Sequence, residues 1–216
     1  MRRIIFFDLD GTLTDAGPGI KACINHALHK MNIEKLGSES NWVVGPSLWG
    51  TFKKLGVPEG KLNDAVDLYR ERYDLKGYIE NSVYTDIPEQ LLALKSMGYI
   101  LGVATSKPTV SAISILEYFQ LSRYFSYQFG SNLDGYLSDK STLLEHALNT
   151  TGFQPSDALM IGDRRYDIIG AKSNLIKSVG VSYGYGSINE LREAGADCLI
   201  KEPRELLTAV NKLLPI

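Results

Sequence analysis

The chain is poor in the residues that staple or chelate, with two cysteines and three histidines among 216 residues. Cys23 and Cys198 lie far apart without metal-ligand or redox spacing, as expected in a reducing compartment, and the cytoplasm is the expected location. His26 and His29 are spaced to share a helix face. With no third ligand near them, they and His146 read as ordinary helix residues rather than a zinc site. Long apolar runs are also missing. Ile4, Ile5, Phe6 and Phe7 follow Arg2 and Arg3 in the manner of a leader, but the run stops at Asp8, so it reads as a buried strand and no membrane partner is expected. Charge of one sign is not in excess either. A formal net charge of -2 with 22% charged residues argues against a nucleic-acid polymer as partner, and 44% apolar residues argue against a disordered chain. A chain of this length can bury a real core as one domain, or as a domain carrying a smaller inserted one, with a monomer or homodimer expected.

What is present is an alternation of short apolar runs with segments of helical period. That pattern predicts an α/β fold, a doubly wound, Rossmann-like parallel sheet with helices on both faces. Strands are expected at residues 3–7, 100–104, 158–161, 177–181 and 198–200, where Ile, Val, Leu and Phe run continuously as in strands buried on both sides. Helices are expected at 88–96, opened by Pro88 and stopped by Gly98, and at 141–150, with Gly152 beyond its end. Ser187 and Glu190 have capping-box spacing, and Pro203 opens a last helix carrying Leu206, Leu207, Val210 and Leu214. Residues 16–81 break the rhythm. Ile20, Ile24, Leu28 and Met31 share one helix face, as do Leu62, Val66, Tyr69 and Tyr73, so this segment is expected to be an all-helical cap inserted into a core of residues 1–15 and 82–216. Its joints are expected at 15–19 and 77–84, as in a mobile lid.

Three expected strands end in polar residues, Asp8, Thr105 and Asp163. Ligands of an open parallel sheet bind beyond the carboxyl ends of its strands, so the three are expected to face one crevice. Asp8 and Asp10 can point the same way before Gly11 turns the chain. One such carboxylate can attack phosphorus while the other gives a proton to the leaving alcohol and takes one from water. The plainer alternative is a turn in which both aspartates cap backbone amides. Asp163 adds a third negative charge that would repel a phosphate dianion, a conflict that Mg²⁺ in a partly hydrated oxygen site resolves. Asp167, four residues further, is expected to help by coordination or by orienting Lys140. Thr105, Ser106, Lys107 and Pro108 are expected to form a phosphate cradle at a helix start, and Lys140 to offset charge on the phosphoryl oxygens.

Asp8-Leu9-Asp10-Gly11-Thr12-Leu13-Thr14-Asp15 resembles the first motif of the haloacid dehalogenase superfamily. Val103-Ala104-Thr105-Ser106-Lys107-Pro108 is similar to its second motif, Lys140 stands at the third-motif lysine, and Gly162-Asp163-Arg164-Arg165-Tyr166-Asp167 resembles the fourth. The resemblance implies that Asp8 is nucleophile and metal ligand. It makes Asp10 the general acid and base, offering its carbonyl to Mg²⁺, with Asp163 completing the metal site and Asp167 a ligand or its neighbour. The substrate contacts expected on this reading are Gly11, Thr12, Thr105, Ser106 and Lys140. The helical insertion and the tail from Gly180 to Ser187 resemble the phosphoglycolate phosphatase-like and bacterial 5'-nucleotidase-like branch. Ala16, where many relatives have Ser, and Leu175, where a Gly often follows the fourth motif, are departures. The tail glycines do not fit a dinucleotide fingerprint.

The expected activity is thus Mg²⁺-dependent hydrolysis of a small phosphorylated metabolite, phosphoglycolate or a 5'-nucleotide, through an aspartyl phosphate. Asp10 separates this reading from dehalogenation, which needs no such acid. A sugar-phosphate mutase shares the core residues, and a phosphorylated signalling or binding protein, such as a receiver domain, places similar groups on a parallel sheet. Specificity is expected to rest on residues 41–56. There Trp42 or Trp49 facing the crevice would stack on a nucleotide base, whereas a basic residue would favour a carboxylate such as glycolate.

Overall fold

The computed structural model describes residues 2–37 and 40–216. Six strands, β1 (Ile4–Phe7), β2 (Ile100–Pro108), β3 (Tyr127–Ser131), β4 (Ala158–Gly162), β5 (Lys177–Val181) and β6 (Cys198–Ile200), form one sheet in the order β3-β2-β1-β4-β5-β6. Every neighbouring pair is parallel. The all-apolar β1 is what a central strand covered on both faces requires. Ile4 and Phe6 pack in a cluster with Leu143, Leu144 and Met160, while Ile5 and Phe7 belong to a second cluster with Leu101, Val103 and Ile161.

Between β1 and β2 lie α1 (Gly17–Lys30), α2 (Leu48–Lys54), α3 (Leu62–Arg72) and α4 (Ile87–Ser96). The order continues with α5 (Thr109–Tyr118), α6 (Lys140–Thr151), α7 (Arg165–Ser173), α8 (Ile188–Ala194) and α9 (Leu206–Leu213). Buried side chains of α6 and α7 cover the Ile4 and Phe6 face, and those of α4, α5 and α9 cover the other. Between Ala16 and Asn81 the described residues contain helices and no strand. Ile20, Ile24 and Leu28 of α1 and Ala65, Val66 and Tyr69 of α3 are buried, as their helical spacing predicts. A π-helical turn, Tyr73–Gly77, follows α3.

The two chain segments that join this insert to the sheet run side by side. Asp15 N–H donates to Ser82 O at 2.8 Å, Tyr84 N–H to Leu13 O at 3.1 Å, and Thr14 and Val83 form an antiparallel bridge. The first joint is shorter than the glycines suggested. Gly17, Pro18 and Gly19 form the first turn of α1, Pro18 supplying a preset φ there. Gly19 is required by close approach, because a side chain would collide with Gly77 O and Glu80 O.

The structure departs from the sequence expectations in four further places. β3 was not anticipated, since Tyr-Gln-Phe-Gly-Ser is an edge strand without the continuous aliphatic run of a central one. β2 continues through Pro108, with α5 starting only at Thr109, so Pro108 precedes the helix instead of lying in its first turn. The pairing passes from Ala104↔Phe129 to Pro108↔Ser131, so Thr105, Ser106 and Lys107 lie opposite Gly130 alone and leave the ladder as a bulge. Finally, Ser187 accepts from Glu190 N–H at 3.0 Å, but the Glu190 carboxylate turns to Arg164 and Arg165 instead of closing a capping box. Pro203 opens a 3₁₀ turn, Pro203–Glu205, ahead of α9.

Candidate active site

The carboxyl ends of β1 and β2 and the first turn of α7 converge on a crevice of about 220 Å³ whose opposite wall comes from the helical insert; Asp163, expected to face it, is buried and does not line it. Asp8 emerges from β1 with its N–H bonded to Ile161 O of β4 at 2.9 Å. Asp8, Asp10, Thr105, Ser106, Lys107, Lys140 and Asp167 all line the crevice. Thr105, Ser106 and Lys107 reach it because the β2 bulge turns them off the sheet. They are therefore presented by a strand, not by the helix start expected from sequence.

Lys140 opens α6, whose N-cap Asp139 accepts from the Ser141 and Thr142 amides at 3.0 Å each. Its ammonium group lies 3.0 Å from Asp8 Oδ1 and 2.8 Å from Asp167 Oδ1, and it donates to Ala104 O at 2.8 Å. Burial opposes its charge, but Asp167 and Asp8 outweigh this and raise its pKa. Asp167 sits in the first turn of α7 and accepts Arg164 N–H at 3.0 Å, while Asp163 precedes that helix. They converge through this turn, with Asp163 outside the helix and Asp167 within it.

Asp163 is fully buried. Its Oδ2 accepts Tyr185 N–H at 2.7 Å, and its Oδ1 has no hydrogen-bond partner among the described residues. Asp8, Asp163 and Asp167 offer carboxylate oxygens that all lie within 4.8 Å of one another. Burial, then Asp167 and Asp8, push Asp163 well above the usual carboxylate range, and burial pushes Asp167 up to about 6 despite Lys140. One lysine facing three carboxylates, with a buried oxygen unpartnered, is a donor set that fits a hard divalent cation. The Asp10 carboxylate stands apart from this group. Its Oδ2 is 2.8 Å from Lys107 Nζ, which also donates to Tyr73 Oη at 2.9 Å. Burial raises the Asp10 pKa, and Lys107 works in the opposite direction.

Gly11 and Thr12 do not line the crevice. Gly11 has φ +87° and lies so close to Asp163 that a side chain would strike its carboxylate, and Thr12 is buried beneath. Trp49 of α2 lines the crevice, with its Nε1 donating to Asn63 Oδ1 at 2.9 Å, whereas Trp42 lies away from it under Lys54. Sequence reasoning placed Lys107 in a phosphate cradle and not against Asp10, and assigned no role to Arg164. Arg164 donates through Nε to Glu190 at 2.9 Å and through Nη1 to Val44 O of the insert, ties that its position beside Asp163 did not reveal.

A parallel sheet with an acidic, lysine-bearing crevice at its carboxyl edge and a helical insert across it is an α/β arrangement whose charges suit phosphoryl chemistry. The sequence profile of haloacid dehalogenase-like hydrolases matches residues 5–181, and the chain belongs to that family. It is 42% identical over 190 residues to a 5'-nucleotidase of Pseudomonas aeruginosa, covering 87% of this chain and 86% of that protein. It is 29% identical over 224 residues to phosphoglycolate phosphatase 1 of the same organism, covering 99% and 82%. A Mycobacterium tuberculosis relative named tyrosine-protein kinase PtkA is 34% identical over 210 residues, covering 89% and 72%. The crystal structure of a predicted phosphatase from Clostridium acetobutylicum superimposes with a TM-score of 0.94 at 42% identity, covering 99% of this chain and all of that one. The chain is thus similar to phosphatases of this family in sequence and in fold.

Proposed function

We propose that the crevice hydrolyses a small phosphomonoester through an aspartyl phosphate on Asp8, with a 5'-nucleotide the favoured substrate. The observation that carries the reading is that Asp8 and Asp10 open on one crevice while Lys140 stands 3.0 Å from the Asp8 carboxylate. Asp8 attacks phosphorus, the ester P–O bond breaks, and Asp10 gives its proton to the departing oxygen. Water then attacks the same phosphorus, Asp10 takes its proton, and the bond to Asp8 breaks to release phosphate. Burial of Asp10 favours the protonated form needed first, and Lys107 favours the charged form needed second. Lys140, with Thr105 and Ser106, balances charge on the phosphoryl oxygens. Asp8, Asp163 and Asp167, with the Asp10 carbonyl, would hold Mg²⁺. Bound there, the ion supplies positive charge against the phosphate.

Residues 16–81 act as the cap that selects the leaving group. Trp49 offers a ring at the crevice wall, whereas the nearby cations are already engaged: Arg70 on Leu133 O at 2.5 Å, Arg164 on Glu190, and Lys107 on Asp10. A planar base therefore finds an aromatic ring, while the carboxylate of phosphoglycolate finds Arg164 and Lys107 paired with carboxylates and only Arg70, beside Trp49, without a close one. The test is phosphate release with Mg²⁺ from 5'-nucleotides, phosphoglycolate and sugar phosphates, with nucleotides expected to be turned over best. Preference for phosphoglycolate would overturn the substrate choice. Transfer of phosphate from ATP to tyrosine without release of phosphate from any ester would overturn the phosphatase reading.

A further inference from the structure

Tyr183, Gly184, Tyr185 and Gly186 follow β5, and none has a part in the chemistry above. Their backbone is pressed against the acidic cluster. Tyr185 N–H donates to Asp163 Oδ2 at 2.7 Å. A side chain at Gly184 would collide with Gly11 O and Asp163, and one at Gly186 with the Asp163 carbonyl. The two tyrosine side chains reach the other way, to the segments that join insert and sheet. Tyr183 Oη donates to Thr12 O at 2.9 Å, and its ring meets Tyr84 edge-on with centroids 5.0 Å apart. Tyr185 Oη donates to the Asp15 carboxylate and accepts Gly17 N–H, the first amide of α1, at 2.6 Å. That contact is close enough that a side chain on Gly17 would collide with the phenol.

We infer that Tyr185 is a positioning residue that clasps the start of the cap to the loop holding Asp163, so that order at the acidic cluster and order at the cap joint reinforce each other. The amide fixes the carboxylate and the phenol fixes α1, within a single residue. A cation that pins Asp163 therefore steadies the loop, and the loop steadies the first turn of α1. Conversely, a cap released from the phenol spends less time in the geometry that binds substrate, which lowers apparent affinity by the fraction lost. The inference deepens the phosphatase reading, and part of its test does not depend on turnover.

Tyr185→Phe keeps the ring and the amide and removes only the hydroxyl. In the wild-type protein, Mg²⁺ is expected to slow amide hydrogen exchange at residues 17–24 severalfold, and in Tyr185→Phe this slowing is expected to vanish. KM for the best ester should rise about tenfold while kcat changes much less, the scale of one lost charge-assisted hydrogen bond. Asp15→Ala should behave like Tyr185→Phe and serves if that variant does not fold. Asp15→Asn, which retains an oxygen acceptor, should restore Mg²⁺-dependent protection. Equal Mg²⁺-induced slowing in wild type and Tyr185→Phe would overturn the inference, as would a lowered Tm with protection and KM unchanged. If no ester is hydrolysed, the exchange comparison still decides the clasp, and only the phosphatase reading falls.

Discussion

Lys140 donates to Asp8 and Ala104 O and forms an ion pair with Asp167, and on the proposed reading it holds the attacking carboxylate before any substrate arrives. A rigidly placed nucleophile is worth more than a mobile one, because the ordering has been done in the fold and not at the reaction. Asp8→Asn should lower kcat by ~10⁴-fold or more with the fold intact, measured by phosphate release and circular dichroism. Asp10→Asn should slow both half-reactions and leave a phosphorylated protein detectable by mass after an acid quench. A variant that turns over slowly without a trace of that species would count against Asp10 in the second step. At this scale part of the site could be read from sequence, since Asp8 and Asp163 each directly follow an apolar strand, whereas Thr105 lies inside β2 and reaches the crevice through the bulge. The partners of Lys107, Arg164 and Tyr185 could not be read. They lie 97, 120 and 170 residues away in Asp10, Val44 and Asp15, and no local spacing signals such a contact.

Among the elements, the central strands announced themselves because burial on both faces demands uninterrupted apolar residues. β3 did not, being an edge strand with Gln128 and Gly130 among its five residues. The bulge in β2 was also hidden. It depends on Gly130, where a side chain would lie 2.6 Å from Lys107 O, and the reason for that glycine is visible only once the strands are paired. α2 is a short helix of seven residues whose one clear office at the crevice is to present Trp49. Trp49→Ala should raise KM for nucleoside monophosphates by about tenfold, within the range for loss of one base stack, and leave KM for acetyl phosphate nearly unchanged. An equal loss on both substrates would show the ring to be cap packing alone.

For the molecule as a whole, the carboxylate cluster is a store of unfavourable charge. The folded-state pKa of Asp167 is raised from 3.8 to about 6, burial being the largest cause. A raised folded value means that the folded protein binds the proton more tightly than the unfolded chain. The stability this group contributes is full below about 3.8 and is lost as pH rises through about 6. A bound cation counters that loss at neutral pH and competes with protons at acid pH. Mg²⁺ at ten times its Kd should add about 1.4 kcal/mol at pH 7.5, read as a rise in Tm over an EDTA control, and the rise should shrink toward pH 5. A Tm indifferent to Mg²⁺ at pH 7.5 would remove the cluster as a metal site.

Apolar residues of the insert, among them Ile24, Leu28, Phe52 and Val66, belong to the same buried cluster as Ile5, Phe7 and Val103 of the sheet. Modularity is therefore incomplete. An insert exchanged between relatives would carry across the crevice wall proposed to meet the substrate, and it would also carry part of the packing on one face of the sheet. Recombination that altered specificity by moving this segment would have to bring matching changes in the host sheet. Point substitutions on the crevice wall, such as those around Trp49, offer the shorter path from one substrate to another.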